Sequence, residues 1–167
     1  MKQVATSSLP DPITVADAMS ANRINMNLLA TGRDGVLREL VTLVIPPHEK
    51  RLSGMLFKAL KAREELCSTC VNEGVAIPHS RNALIGVVER PVLAYGRHMA
   101  GVDFGALDGK PVHHFFLLCA PNVREHLQLL ARLTRIMHRD IFRQQLAAAQ
   151  QPDDVLALFR NAEQAVS

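Results

Sequence analysis

The sequence predicts a single α/β domain, and three observations carry that prediction. The chain has 167 residues, the size of one domain. Segments with apolar residues three and four apart alternate along it with short apolar runs, the pattern of helices interleaved with strands. One of those runs, Val112–Cys119, is apolar on both faces apart from His113 and His114, as a central strand covered on both sides requires.

Taken in order, residues 1–12 are polar with two prolines and are expected as a loose arm ahead of a domain spanning 13–162. Residues 13–19 fit a short helical turn docked on the body. Residues 23–28 alternate polar and apolar, the period of a strand. Over 33–45, Val36, Leu37, Leu40, Val41 and Val44 line one helical face, and Pro46-Pro47 stops the helix. A second helix is expected over 48–66, with Leu52, Met55, Leu56, Ala59 and Leu60 inward and Arg63 continuing the stripe. Gly74 opens the strand-like run Val75-Ala76-Ile77, which Pro78 closes. Residues 85–99 read as two strand pieces around Arg90-Pro91, 102–104 as a further extended piece and 107–110 as a turn. Beyond Cys119, Asn122 and Glu125 have capping-box spacing and open a long helix whose inward residues are Val123, Leu127, Leu130, Leu133 and Met137. Shorter helices are expected near 140–149 and 152–162, the latter announced by Pro152-Asp153-Asp154.

Composition excludes several classes. Hydrophobic residues at 48% and charged residues at 21% are globular values, which rules out a disordered chain. The net charge of +3 is spread without a dense basic block, and Trp is absent, so nucleic acid is not an expected partner. The opening residues lack the apolar core of a signal peptide, and the longest apolar stretch, 115–120, is too short to span a bilayer. Three cysteines make no disulfide framework. The expectation is a cytoplasmic protein without membrane insertion.

Five places hold residues able to do chemistry. Cys67-Ser68-Thr69-Cys70 is a C-x-x-C, but it follows a helix instead of opening one, and no second pair completes a zinc site, so it reads as incidental. His113 and His114 are strand neighbours facing opposite sides and read as satisfied structural histidines; His48, His98 and His138 read as surface residues. His79 stands at a strand-to-turn corner, where an imidazole can be nucleophile, base or ligand, or simply a loop histidine. His126 lies in the first turn of its helix beside the buried stripe, where the helix dipole favours an anion, although a structural histidine fits equally. Arg63 either snorkels from its helix end or turns inward toward an anion, and the arginine fork suits phosphate oxygens. Arg63, His79 and His126 together would make a phosphoryl site. With no carboxylate among them, neither a metal nor another cofactor is expected.

Three stretches resemble a known family. Ala62-Arg63-Glu64-Glu65, Ser68-Thr69 and Gly74-Val75-Ala76-Ile77-Pro78-His79 resemble the phosphorylation-site region of EIIA proteins of the bacterial phosphoenolpyruvate-dependent phosphotransferase system, in the fructose and mannitol class and its nitrogen-regulatory branch. The segment from Val102 to Val112 resembles the family's lead-in to its central strand, and Ala120-Pro121-Asn122 with Glu125-His126-Leu127 its second histidine region. The resemblance implies a mixed five-stranded sheet flanked by helices on both sides. It implies His79 as the phosphorylated histidine, with Arg63 and His126 as stabilisers of the phosphoryl group. It implies a histidine phosphocarrier protein (HPr or its nitrogen-branch relative) as donor, and a transporter domain or a regulated protein downstream. A free-standing regulatory phosphocarrier is the leading expectation; the alternatives are a sugar-specific permease component and a non-transferring binding module of the same fold. The chain departs from the family at Cys70 and Ser80, where glycine is common, and in the added charge of Glu73.

Overall fold

A computed structural model of the chain describes residues 11–82 and 87–165. Residues 1–10 of the expected arm, and 85–86 of the first expected strand piece, lie outside the described residues. The helices are α1 (Val15–Ala18), α2 (Arg33–Val44), α3 (Lys50–Leu66), α4 (Val123–Met137), α5 (Asp140–Ala148) and α6 (Pro152–Gln164). The strands are β1 (Ile24–Asn25), β2 (Val75–Ala76), β3 (Val92–Val102) and β4 (Val112–Cys119).

The strands form one mixed sheet in the order β1-β3-β4-β2. β1 runs parallel to β3, β3 antiparallel to β4, and β2 parallel to β4. Among the described residues the sheet therefore has four strands, not the five implied by the resemblance. Residues 87–91 make a turn and bends that lead into β3 at Val92. The expected extended piece at 102–104 is not separate either, because Val102 is the last residue of β3 and pairs with Val112 past an irregularity that starts at Arg97.

Side-chain alternation along the strands builds two cores, one on each face of the sheet. Val75, Ile77, Leu93, Tyr95, Phe116 and Leu118 face α1, α4, α5 and α6. Ala76, Ala94, Phe115, Leu117 and Cys119 face α2 and α3. Gly96 gives room where the chain after β1 runs beside β3, since a Cβ there would lie 2.6 Å from Leu28 Cδ1 and force that side chain to shift. The short helix α1 is secured by a Thr14–Asp17 capping box and by Glu163 of α6, whose carboxylate accepts from the Val15 and Ala16 amides at 2.6 and 3.1 Å.

α2 buries Val36, Leu37, Leu40 and Val41 as its spacing predicts. α3 is rotated from the expected stripe: Leu56, Phe57, Leu60 and Glu64 are buried, while Met55 is 51% exposed. Phe57 joins the core cluster on the α2 side of the sheet, with Arg38 of α2 lying 3.8 Å above its ring. In α4 the buried residues are Leu129, Leu133, Ile136 and Met137, and Val123 and Leu127 are exposed. The expected surface position of His98 is wrong; it lies on β3 and is buried, whereas His48 and His138 are exposed.

The two histidines of β4 are structural. His113 Nδ1 donates to the His98 carbonyl at 3.0 Å, and the Tyr95 hydroxyl and His114 Nδ1 are hydrogen-bonded at 2.7 Å. Burial drives His114 down from 6.5 to about 4, so it stays neutral in the folded protein. A histidine depressed in this way contributes stability above its unfolded value, and the contribution is lost as pH falls toward the folded one. About 2 kcal/mol should be gone by pH 5. His114→Gln keeps an acceptor for Tyr95 without titrating, and should flatten the fall in urea midpoint between pH 6.5 and pH 5. An unaltered profile would acquit His114 of that acid sensitivity.

Candidate functional site

Topology brings His79 and His126 together. β2 and β4 are parallel neighbours, so their C-terminal ends emerge at the same edge of the sheet. Val75 pairs with His114 and Ala76 with Phe115, and the same offset persists beyond Pro78, where His79 bridges Leu118 and the Leu118 amide donates to the Pro78 carbonyl at 3.0 Å. His79 thus continues the line of β2. From the end of β4, 120–122 turn the chain into α4, and Asn122 caps it, its side chain accepting from the Glu125 amide at 2.9 Å. His126 follows in the first turn, on the face that carries Leu129 and Leu133. The two imidazole rings meet edge to face with centroids 5.1 Å apart.

Arg63 arrives through a hairpin. After α3 the chain runs antiparallel to β2: Cys70 bridges Ala76, and the Ile77 amide donates to the Thr69 carbonyl at 3.1 Å. The reversal between them places Asn72, Glu73 and Gly74 in the left-handed region, where Gly74 is at home and Asn72 tolerable, while Glu73 is strained. Glu73 is held there by its neighbours. Its amide donates to Asp108 at 2.9 Å, and its carboxylate pairs with Lys110 at 2.9 Å. The added charge is thereby directed to the 107–110 turn. Of the other departures from the family, Ser80 is buried with its hydroxyl donating to the Asn82 carbonyl, and the Cys70 thiol rests 3.7 Å from the Phe104 carbonyl.

The carboxylate beneath this hairpin is Glu64, which had no place in the site read from the sequence. It is buried on α3 and accepts from both the amide (3.0 Å) and the hydroxyl of Thr69. Burial raises its pKa against the opposing pull of those two hydrogen bonds and of Arg63. A signal was available, since Glu64 follows Leu56 and Leu60 at steps of four. Arg63, one position round the helix, is half-buried, and its Nη1 donates to the Cys67 carbonyl at 2.7 Å.

His79 is half-buried, and its Nδ1 donates to the Ile77 carbonyl at 2.7 Å. A carbonyl only accepts, so Nδ1 bears the proton and the Nε2 lone pair is left for chemistry. Its pKa is lowered chiefly by burial, with His126 and Arg63 adding positive charge in the same direction, against the raising effect of the Ile77 bond. Burial also lowers His126. Near pH 7 both rings are neutral, and the cluster of two imidazoles and a guanidinium suits an anion. Among the described residues no group of three or more His, Cys, Asp or Glu side chains is placed to hold a metal.

Fold and cluster together define an α/β domain presenting a neutral imidazole beside donor groups at one sheet edge. The family model for the phosphoenolpyruvate-dependent sugar phosphotransferase system, EIIA 2, matches residues 17–162, and the chain belongs to that family, a phosphotransfer component. It is 32% identical over 139 residues to a nitrogen regulatory protein of Pseudomonas aeruginosa, covering 82% of this chain and 88% of that one. It is 30% identical over 147 residues to the fructose-specific EIIABC component of Bacillus subtilis, covering 87% of this chain but spanning only 23% of that protein. The crystal structure of the nitrogen regulatory protein IIA-Ntr from Neisseria meningitidis superposes with a TM-score of 0.76 at 29% identity, over 87% of this chain and 98% of that one. Among the described residues no helix is long and apolar enough to cross a membrane.

Proposed function

We propose that the chain accepts a phosphoryl group on Nε2 of His79 from a histidine phosphocarrier protein, and serves as a regulatory phosphocarrier of the nitrogen-regulatory kind. The observation that carries this reading is the Ile77 carbonyl on His79 Nδ1, which points a neutral imidazole's free nitrogen away from the backbone beside His126. The Nε2 lone pair forms the new N–P bond as the donor's P–N bond breaks. The donor imidazole leaves with the electron pair and is neutral once its proton balance is restored by water. Phosphoryl transfer asks little of a protein beyond in-line placement and charge stabilisation. Arg63 and an N–H of His126 supply the latter. This chemistry belongs in the cytoplasm.

Incubation with phosphoenolpyruvate, Enzyme I and a histidine phosphocarrier tests it. One acid-labile, base-stable phosphoryl group per chain is the expected product, and no label at all would favour the non-transferring binding module. The second reading, a sugar-specific component, draws on the 30% identity to the fructose-specific EIIABC protein. Rapid passage of the label from this chain to a fructose-class EIIB domain would favour it over regulation.

Arg63 is assigned to the phosphoryl oxygens. Arg63→Lys keeps the charge and loses the fork, and should slow transfer about tenfold; Arg63→Ala should slow it about a hundredfold. Stopped-flow transfer on folded variants is the measurement, and a parental rate in Arg63→Ala would make the residue a helix C-cap only. His126 is assigned the role of fixed donor. His126→Ala should still be phosphorylated on His79 but pass the group on about a hundredfold more slowly, with His126→Gln faster than alanine because an amide N–H replaces one donor. Phosphate mapped to His126 in the parent protein would reverse the two assignments.

A further inference from the structure

We infer that a small zwitterion of the α-amino-acid class binds in a cavity at the opposite end of the sheet from His79, with its carboxylate on Arg143 and His114 and its ammonium on Glu73 and Asp140. The inference stands apart from the phosphoryl reading. The cavity, about 430 Å3, opens between the start of β4, the hairpin that leads into β2, and α5. That volume lies in the ordinary range of small-molecule sites. Glu73, His114, Asp140, Arg143 and Gln144 line it. His114 pairs with Val75 at the start of β2, whereas His79 lies beside Leu118, four residues and about 13 Å further along β4. The phosphoryl chemistry uses none of the lining groups.

Three features that the phosphoryl chemistry leaves unexplained meet in this cavity. The first is His114, only 7% exposed, with Nδ1 bonded to the Tyr95 hydroxyl. Its Nε2 has no partner among the described residues, yet it is not sealed in, because the buried side-chain atom without a partner there is His98 Nδ1. Nε2 therefore opens onto the cavity that the ring lines. The second is Arg143, whose side chain is 16% exposed. Its Nη1 donates to the Met137 carbonyl at 2.6 Å and its Nη2 pairs with Asp140, and the rest of the fork has no partner among the described residues. Burial first, then the charges of His113, Arg97 and Arg143, keep His114 neutral, so Arg143 is the cation of the cavity wall. The third is Glu73, held at a φ of 53°, where glycine would rest without strain. Lys110 takes only Oε2 of Glu73, and Arg143 only Oδ1 of Asp140, so each carboxylate keeps an oxygen for a ligand. These charges select the ligand class. A plain anion meets Arg143 but is repelled by two carboxylates, and a plain cation meets the reverse. A zwitterion satisfies both signs. Its carboxylate also selects the His114 tautomer, with Nε2–H donating to the ligand and Nδ1 accepting from Tyr95. The exposed amide of Gln144 is left for the ligand's side chain.

The test titrates the intact chain with each standard L-amino acid by calorimetry and locates any binder from amide shifts in 1H–15N spectra. Propionate and n-propylamine, the two halves of the zwitterion, are the controls. At least one amino acid should bind with a Kd below about 1 mM, and each half at least about tenfold more weakly. The amide shifts should centre on residues 73–75, 113–115 and 140–147. Arg143→Gln and Glu73→Gln should each weaken binding at least about tenfold. Because Arg143 also holds the end of α4 through Met137, Glu73→Gly supplies a variant that keeps the fold. It relieves the left-handed strain, so its urea midpoint should rise while binding falls at least about tenfold. No amino acid bound below about 10 mM, or a half-ligand as tight as the whole, overturns the site. So do shifts centred on His79 and His126, or undiminished binding by Glu73→Gly. None of these readouts involves the phosphoenolpyruvate relay, so the site stands or falls independently of phosphoryl acceptance.

Discussion

His79→Ala protein should take up no phosphoryl group from the relay, with labelling below about 1% of the parent. The expectation is an all-or-none loss because the N–P bond has no other atom to form on; stabilising groups lower barriers, whereas a nucleophile is part of the intermediate. The loss should be chemical and not structural. His79 is half-buried and makes its side-chain hydrogen bond to a carbonyl two residues away, so removing it leaves both core clusters intact and should cost no more than about 1 kcal/mol. The pH profile supplies a second check. His79 is held below 6.5 by burial, with His126 and Arg63 acting in the same direction, so the neutral nucleophile persists below the pH at which a free histidine protonates. The acceptance rate should fall on the acid side only as pH drops through that lowered value. Arg63→Gln removes one of the positive charges and should move the limb to higher pH. Undiminished labelling of His79→Ala, or an acid limb above 6.5, would remove His79 from the role.

The parts of this molecule that are legible in its sequence are those governed by short-range periodicity. Val112–Cys119 reads as a covered central strand because both its faces are apolar, and it lies between β3 and β2 with a core on either side. The inward face of α2 follows from spacing alone. The stripe of α3 does not, because Met55 and Phe57 differ by 200° around a helix yet are both apolar; Phe57 is the one that packs into the core cluster beside α2, and Met55 is left exposed. The apolar Val123 and Leu127 mislead for a related reason. Both are exposed, on a face of α4 turned away from the one that buries Leu129, Leu133, Ile136 and Met137. Arg63, His79 and His126 stand out locally by their type and position. Their convergence is not a local property: His79 meets His126 only because β2 and β4 pair in parallel, a contact between residues far apart in the chain. Glu64 was hidden for the complementary reason, since a charge beside Arg63 on a helix looks solvated until Thr69 folds back over it.

Glu64→Ala should be the most damaging single change to the frame of the site. The carboxylate is the partner of two Thr69 donors inside the protein, and truncation strands a buried amide and a hydroxyl together. An unsatisfied buried donor costs about 1–3 kcal/mol, so a loss of about 3 kcal/mol in urea unfolding is expected once the vacated volume is added. Glu64→Gln separates packing from charge. Its amide oxygen can accept from the Thr69 amide and its NH2 can donate to the Thr69 hydroxyl, so at neutral pH it should lie within about 1 kcal/mol of the parent. The pH dependence also has a definite sign. Burial raises Glu64 in the folded state, so its protonated form is favoured there; the associated stability is fully present below the unfolded value of 4.5 and is lost as pH rises through the folded one. That trend opposes the one from His114, and Glu64→Gln should abolish it, making the variant lose more stability than the parent on acidification. Because Thr69 pairs with Ile77 and so anchors the strand end that carries His79, phosphoryl acceptance should slow in Glu64→Ala and recover in Glu64→Gln. Equal stability of the alanine and glutamine variants would mean that the Thr69 contacts hold nothing in place, and the hairpin would then owe its position to the β2 pairing alone.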